Sequence, residues 1–189
     1  MKTSTLQQIA AVFSAIQASA SARPLAADEA IALAVRQVLA AAKKGNKVIL
    51  IGNGGSAGIC GHIAVDLLKN AGVPALTFND ASLLTCISND LGYEQVFAKP
   101  VQMLAKKGDM LIAVSSSGKS KNILNAARAA SLKGCRIITL SGFSPANPLR
   151  KMGELNFYVP SFSYGAVEIA HLAVCHAVVD GVISRKHHG

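Results

Sequence analysis

Ten acids and five histidines are all that this 189-residue chain offers for chemistry by carboxylate and imidazole, so their placement matters. His187 and His188 sit at the extreme end and are set aside. His62 and Asp66 stand four apart in GHIAVDLL, while Glu168, His171 and His176 fall within EIAHLAVCH, and both segments are otherwise apolar and read as helices. Residues four apart share a helical face, and Glu168 and His176, eight apart, share roughly one as well. Two readings stand. His62–Asp66 and His176–Asp180 could be local helix pairs, worth a few tenths of a kcal/mol each. Alternatively His62, Asp66, Glu168 and His176 form a pocket wall. A carboxylate and an imidazole there could divide the movement of a proton between adjacent carbons and oxygens of a sugar, and the same four groups suit a divalent metal such as zinc.

Two loops have the composition of anion sites. MLIAVSSSGKSKNIL reads as strand, loop and helix, with Ser115, Ser116, Ser117 and Ser120 clustered where a helix begins. Hydroxyls and unpaired backbone N–H groups at the positive end of a helix dipole fit a phosphate monoester, although Ser and Gly also simply cap helices. Gly118-Lys119-Ser120 misses a nucleotide-binding P-loop because Ala113 stands where the first glycine is required. The second loop, Asn53-Gly54-Gly55-Ser56 after Gly52, satisfies GxGxxA with Asp80 downstream. That dinucleotide pattern is weak alone and leaves the serine loop without a role.

The elements that must hold these loops follow from periodicity. Residues 3–20 and 26–44 are expected to form two helices, the first from Leu6, Ile9, Val12, Phe13 and Ile16 at helical spacing, the second closed by Lys43-Lys44-Gly45. Short apolar runs at 48–52, 74–78, 110–114, 136–140 and 156–160 alternate with helix-length segments, which predicts a five-stranded parallel sheet with helices on both faces. The serine loop, the Asn-Gly-Gly-Ser loop and Ser141-Gly142 all end strands, so they are expected at one sheet edge, where open α/β folds bind ligands. A last apolar helix covers 165–184.

Composition narrows the classes. At about 150 residues per domain the chain is one domain. No apolar run is expected to reach a membrane span, and polar residues interrupt the N-terminus where a signal core would lie, so the expectation is a cytoplasmic protein without a membrane partner. Cys60, Cys86, Cys135 and Cys175 are widely spaced and read as reduced core residues. The net charge of +9 raises nucleic acid as a ligand. Yet Lys43–Lys44, Lys106–Lys107, Lys133 and Arg150–Lys151 each fall just before a glycine, where helix ends favour cations, and no aromatic-interleaved basic run exists. No nucleic-acid partner is expected.

The GNGGSA loop, HIAVDLL, SNDLGYEQVF, GDMLIAVSSSGKSKNIL, GCRIITLSG and EIAHLAVCH, in this order over about residues 30–184, resemble the SIS (sugar isomerase) domain family. The likeness is to its phosphoheptose isomerase branch. The resemblance implies a flavodoxin-like three-layer α/β sandwich with a five-stranded parallel sheet and an N-terminal helical pair. It implies one domain over 1–189, with helices in 1–44 at an oligomer interface and an α/β core over 45–184, assembled as a homotetramer. The implied activity is an aldose–ketose isomerisation of a phosphorylated sugar, sedoheptulose 7-phosphate, through an enediol; the alternative is a non-catalytic SIS module that senses a phosphosugar and acts through a protein partner.

Carried onto this chain, the resemblance assigns phosphate to Ser115, Ser116, Ser117 and Ser120, and sugar contacts to Asn53, Gly54, Gly55 and Ser56. Asn89 and Asp90 match a pair near the site, Asp66 and His176 match the catalytic pair, and one zinc per subunit falls to His62, Asp66, Glu168 and His176. No nucleotide cofactor is implied. Four positions depart from the family pattern: Asp66 replaces Glu, Glu168 replaces Gln, Asn70 replaces Arg and Gly165 replaces Asp.

Overall fold

A computed structural model describes residues 5–187. Residues 3 and 4 of the first expected helix, and His188, lie outside them. The chain begins with α1 (Thr5–Ser14), a hairpin of β1 (Gln17–Ala20) and β2 (Arg23–Leu25), and α2 (Ala27–Lys43). Then come β3 (Val48–Gly52), α3 (Gly55–Val65), a π turn over Asp66–Asn70, β4 (Ala75–Thr77), α4 (Ala81–Leu91) and α5 (Ala98–Leu104). The remainder is β5 (Met110–Ser115), α6 (Lys121–Leu132), β6 (Arg136–Gly142), β7 (Leu155–Val159) and α7 (Tyr164–His187).

The five expected runs form β3 to β7 and are mutually parallel, but the sheet is not purely parallel and has seven strands, in the order β2-β1-β7-β6-β5-β3-β4. β1 pairs antiparallel with both β7 and β2. The expectation of a five-stranded parallel sheet with only helices before it is therefore corrected, and the first helix stops at Ser14. The physical reason is the edge of β7. Its free N–H and C=O groups would otherwise lie open, and the hairpin covers them. The turn is hard to see in the sequence because Ser21 and Ala22 take positive φ (45° and 68°), positions normally marked by Gly, Asn or Asp.

β3 and β5 are buried along their whole lengths, as strands covered on both faces must be. One face packs Leu50, Ile112, Leu140 and Phe157 against α2, α3 and α7; the other packs Ile49, Ile51, Leu111 and Ala113 against α5 and α6. The expectation about apolar runs is also corrected. Residues Tyr164–Lys186 of α7 have the length and hydropathy to cross a membrane, with half of the most apolar window buried inside the fold. Cys60, Cys135 and Cys175 are buried, whereas Cys86 on α4 is exposed.

Candidate active site

β3, β5 and β6 are adjacent and parallel, so their carboxyl ends release the three polar loops at one edge. A cavity of about 150 Å³ opens there, lined by Asn53, Ser56, Ser115, Ser116, Ser117, Ser120, Tyr164 and Glu168. A larger cavity, about 750 Å³, lies beside the hairpin against Gln17 and Arg150 and contains none of the acids, histidines or loop serines described above.

Close backbone approach builds the first loop. Gly54 (φ 53°) precedes α3, and a Cβ on Gly52 would come within 2.6 Å of the Ser56 carbonyl. A Cβ on Gly55 would overlap the Glu168 carboxylate, so this glycine is the seat that brings α7 against the start of α3. In the serine loop, Gly118 (φ 60°) donates its N–H to the Ser115 hydroxyl at 3.2 Å. Asn147 donates to the Gly142 and Ser144 carbonyls, at 3.2 and 2.8 Å, and a Cβ on Gly118 would strike its side chain. The Ser116 hydroxyl is buried without a partner, and Ser120 begins α6 without using its hydroxyl as a cap. Neither hydroxyl is committed to a protein partner.

A second cluster forms between α3, the π turn and α7. Asp66 Oδ2 lies 3.3 Å from His62 Nε2 and 3.8 Å from His176 Nδ1, and the two rings meet edge to face at 5.1 Å. No His176–Asp180 ion pair occurs among the described residues; His176 instead faces Asp66 across the helix interface. One ligand atom from each of the three residues falls within 4.8 Å of the others, which fits three protein donors around a divalent ion. Asn70 donates to Asp66 Oδ1 at 3.0 Å, fixing the carboxylate from its other side. Glu168 does not join this group; it lies about 12 Å up α7, by helical rise, at the serine cavity.

Other singled-out residues have different surroundings. Asn89 donates to Asp90 on exposed α4 (2.9 Å), and neither lines the serine cavity. Asp80 accepts the Leu83 N–H at one carboxylate oxygen as the cap of α4, a helix-capping role that accounts for the residue a dinucleotide reading would give to a ribose. His171 is fully buried, its Nε2 3.1 Å from the Ser141 carbonyl, and burial pushes the ring down to about 4. Gly165 falls in the first turn of α7, with open space where a Cβ would project. Three residues at the site escaped the sequence reading. Tyr164 lines the cavity, and Tyr93 and Asn122 both bond Asn53. Only Tyr93 carried a signal, as an aromatic just after the Asn-Asp segment.

The SIS domain family signature matches residues 11–142. A phosphoheptose isomerase of Burkholderia pseudomallei (strain 1710b) is 40% identical over 162 residues, covering 80% of this chain and 82% of its relative. That of Pelobacter propionicus is 34% identical over 163 residues, 83% of each chain. The solved phosphoheptose isomerase of Francisella tularensis superposes with a TM-score of 0.77 at 28% identity, covering 95% of this chain and 98% of its own. The chain belongs to the SIS domain family, within its phosphoheptose isomerase branch.

Proposed function

We propose that the protein is a phosphosugar isomerase that interconverts sedoheptulose 7-phosphate and an aldose heptose 7-phosphate through an enediol. The observation that carries this reading is the meeting of Asp66, His62 and His176 in a chain whose serine-lined cavity lies two helical turns away along α7. That separation suits a long, extended substrate, with the phosphate at one end and the reacting carbons at the other.

Ser115, Ser116, Ser117 and Ser120 hold the phosphate with hydroxyls and with the N–H groups that open α6. Asn53, Ser56 and Glu168 border the same space and, with Gly54 and Gly55 of the same loop, contact the sugar. Binding the distal phosphate fixes the reacting end against Asp66 and His176. The reaction moves one proton between C1 and C2 and one between their oxygens, so neither atoms nor electrons are gained overall. Asp66 and His176 together supply the groups that take up and return these protons. Asn89 and Asp90, exposed on α4, come to a site completed by a neighbouring subunit in a homotetramer, with the N-terminal elements at the interface.

The three converging donors fit a divalent ion such as zinc, which His62, Asp66 and His176 would hold. Such an ion would polarise the substrate carbonyl. The setting is cytoplasmic, where phosphorylated sugars are metabolised. A sensing module without catalysis would not require the carboxylate–imidazole cluster, and its presence favours the enzyme. Incubation with sedoheptulose 7-phosphate in deuterated water tests the reading: aldose formation with solvent label at C1 or C2 is expected. Tight binding with neither turnover nor label would instead establish the sensor.

A further inference from the structure

Asn53 carries a hydrogen-bond pattern with one consequence for the ligand. Its Oδ1 accepts from Asn122 Nδ2 at 2.8 Å and from the Tyr93 hydroxyl at 3.0 Å, while its Nδ2 donates to Asn122 Oδ1 at 3.0 Å. The orientation of both amides follows from the backbone. Asn122 is 2% exposed, and its Oδ1 also accepts the Ile123 N–H at 3.0 Å, so oxygen must occupy that position. Nitrogen then faces Asn53, and the Asn53 oxygen must face back. A carboxamide offers two acceptor and two donor positions, and three of the four are used here. One N–H remains, on a residue that lines the serine cavity.

We propose that Asn122 and Tyr93 are positioning residues that lock the Asn53 amide, so that Asn53 meets the substrate only as a donor. It then reads an acceptor oxygen of the phosphosugar and disfavours a donor there. Neither residue touches substrate in this scheme; both act through Asn53. The inference rests on the phosphosugar reading of the cavity. A purely structural clasp between the β3 loop and the start of α6 is the competing explanation, and the two differ in what happens once Asn53 is gone.

The test is a mutant cycle in the full-length protein, read as kcat and KM for sedoheptulose 7-phosphate. Asn122→Asp keeps size but cannot donate to Asn53, so one of the bonds that fix the Asn53 amide is replaced by a repulsion between two oxygens and the amide loses its single orientation. KM is expected to rise about 10-fold, the scale of one lost hydrogen bond to a ligand, with a smaller change in kcat. Tyr93→Phe, which removes one exposed hydroxyl, is expected to raise KM roughly 3-fold. In an Asn53→Ala background both substitutions are expected to leave KM unchanged, because the residue they act through is absent. An unchanged KM in folded Asn122→Asp, or additive effects in the Asn53→Ala background, would overturn the positioning role. If Asn122→Asp does not fold, the Tyr93→Phe cycle decides alone by the same criteria. Absence of turnover by the unsubstituted enzyme would overturn the functional reading as well, whereas turnover with additive effects overturns only this inference.

Discussion

Asp66 and His176 come from helices far apart in the chain, yet Asp66 Oδ2 lies 3.8 Å from His176 Nδ1. The chain turns from β3 into α3 and from β7 into α7 so that both helices lie on the same face of the sheet. Their lines of side chains meet at the end of α3, where the chain loosens into a π turn that begins with Asp66. Single π turns inside helices frequently mark functional sites, because they shift the phase of the following side chains.

His176→Ala and Asp66→Ala should each lower kcat by 10²- to 10⁴-fold, the range for losing a positioned proton-transfer group. The His176 side chain is 39% exposed, so its truncation leaves only a small void and Tm should change little. Steady-state kinetics with thermal melts on the same samples checks both statements. Full turnover in the double variant would remove the pair from the mechanism.

Ser116→Ala and Ser120→Ala should raise KM and weaken competition by inorganic phosphate, with kcat much less affected. Each removes a hydroxyl without a protein partner, so little folding energy is lost. A fall of about 10-fold in phosphate affinity per hydroxyl is expected. Equal phosphate inhibition in wild type and both variants would place the anion elsewhere.

Gly52→Ala and Gly55→Ala should behave differently although the two glycines flank one loop. At Gly52 the new Cβ meets the Ser56 backbone carbonyl, which cannot move without disturbing α3, so a loss of about 1–3 kcal/mol is expected by denaturant titration. At Gly55 the obstruction is the end of the flexible Glu168 side chain. Gly55→Ala should fold with a near-normal Tm and show its effect in KM, as Glu168 leaves its seat.

His171 makes stability pH-dependent in a defined direction. Burial lowers the folded ring to about 4, whereas an unfolded histidine titrates near 6.5, so between these values the unfolded chain binds the extra proton. Its contribution is fully present above about pH 6.5 and is lost as pH falls toward 4, with a total near 3 kcal/mol. The Asp109 carboxyl adds to the acid loss below this window. Burial pushes it up, but hydrogen bonds from Lys47, side chain and backbone, and from the Lys106 N–H outweigh burial and hold it below the usual carboxylate range. Urea midpoints of wild type and His171→Gln between pH 7 and pH 4.5 should converge toward the acid end. Parallel curves would show that the ring does not titrate as described.

Much of the architecture was legible from residue types because the relevant physics is local. Strands covered on both faces must be largely apolar, and β3 and β5 read so up to the Ser115 that opens the serine loop, while β6 and β7 keep apolar runs around the buried polar residues Thr139, Ser141 and Asn156. The serine loop and the His62–Asp66 spacing were equally plain, since a loop opening a helix and a four-residue helical step depend only on near neighbours. The β1–β2 hairpin was not. Gln17–Ala20 follow helix-spaced apolar residues, and they form a strand only because the edge of β7 lies free beside them.

The chemistry divides in the same way. By itself the sequence determined which side chains are available: scarce acids and histidines on apolar helices, and hydroxyls clustered after a strand. Tertiary structure decided which of them meet. It gave His176 to Asp66 rather than to Asp180, seated Glu168 on Gly55 instead of in the His–Asp cluster, and joined Asn53 to Asn122 and Tyr93. These contacts are between segments distant in sequence, and their geometry is set by helix packing across one sheet face, which no local pattern encodes.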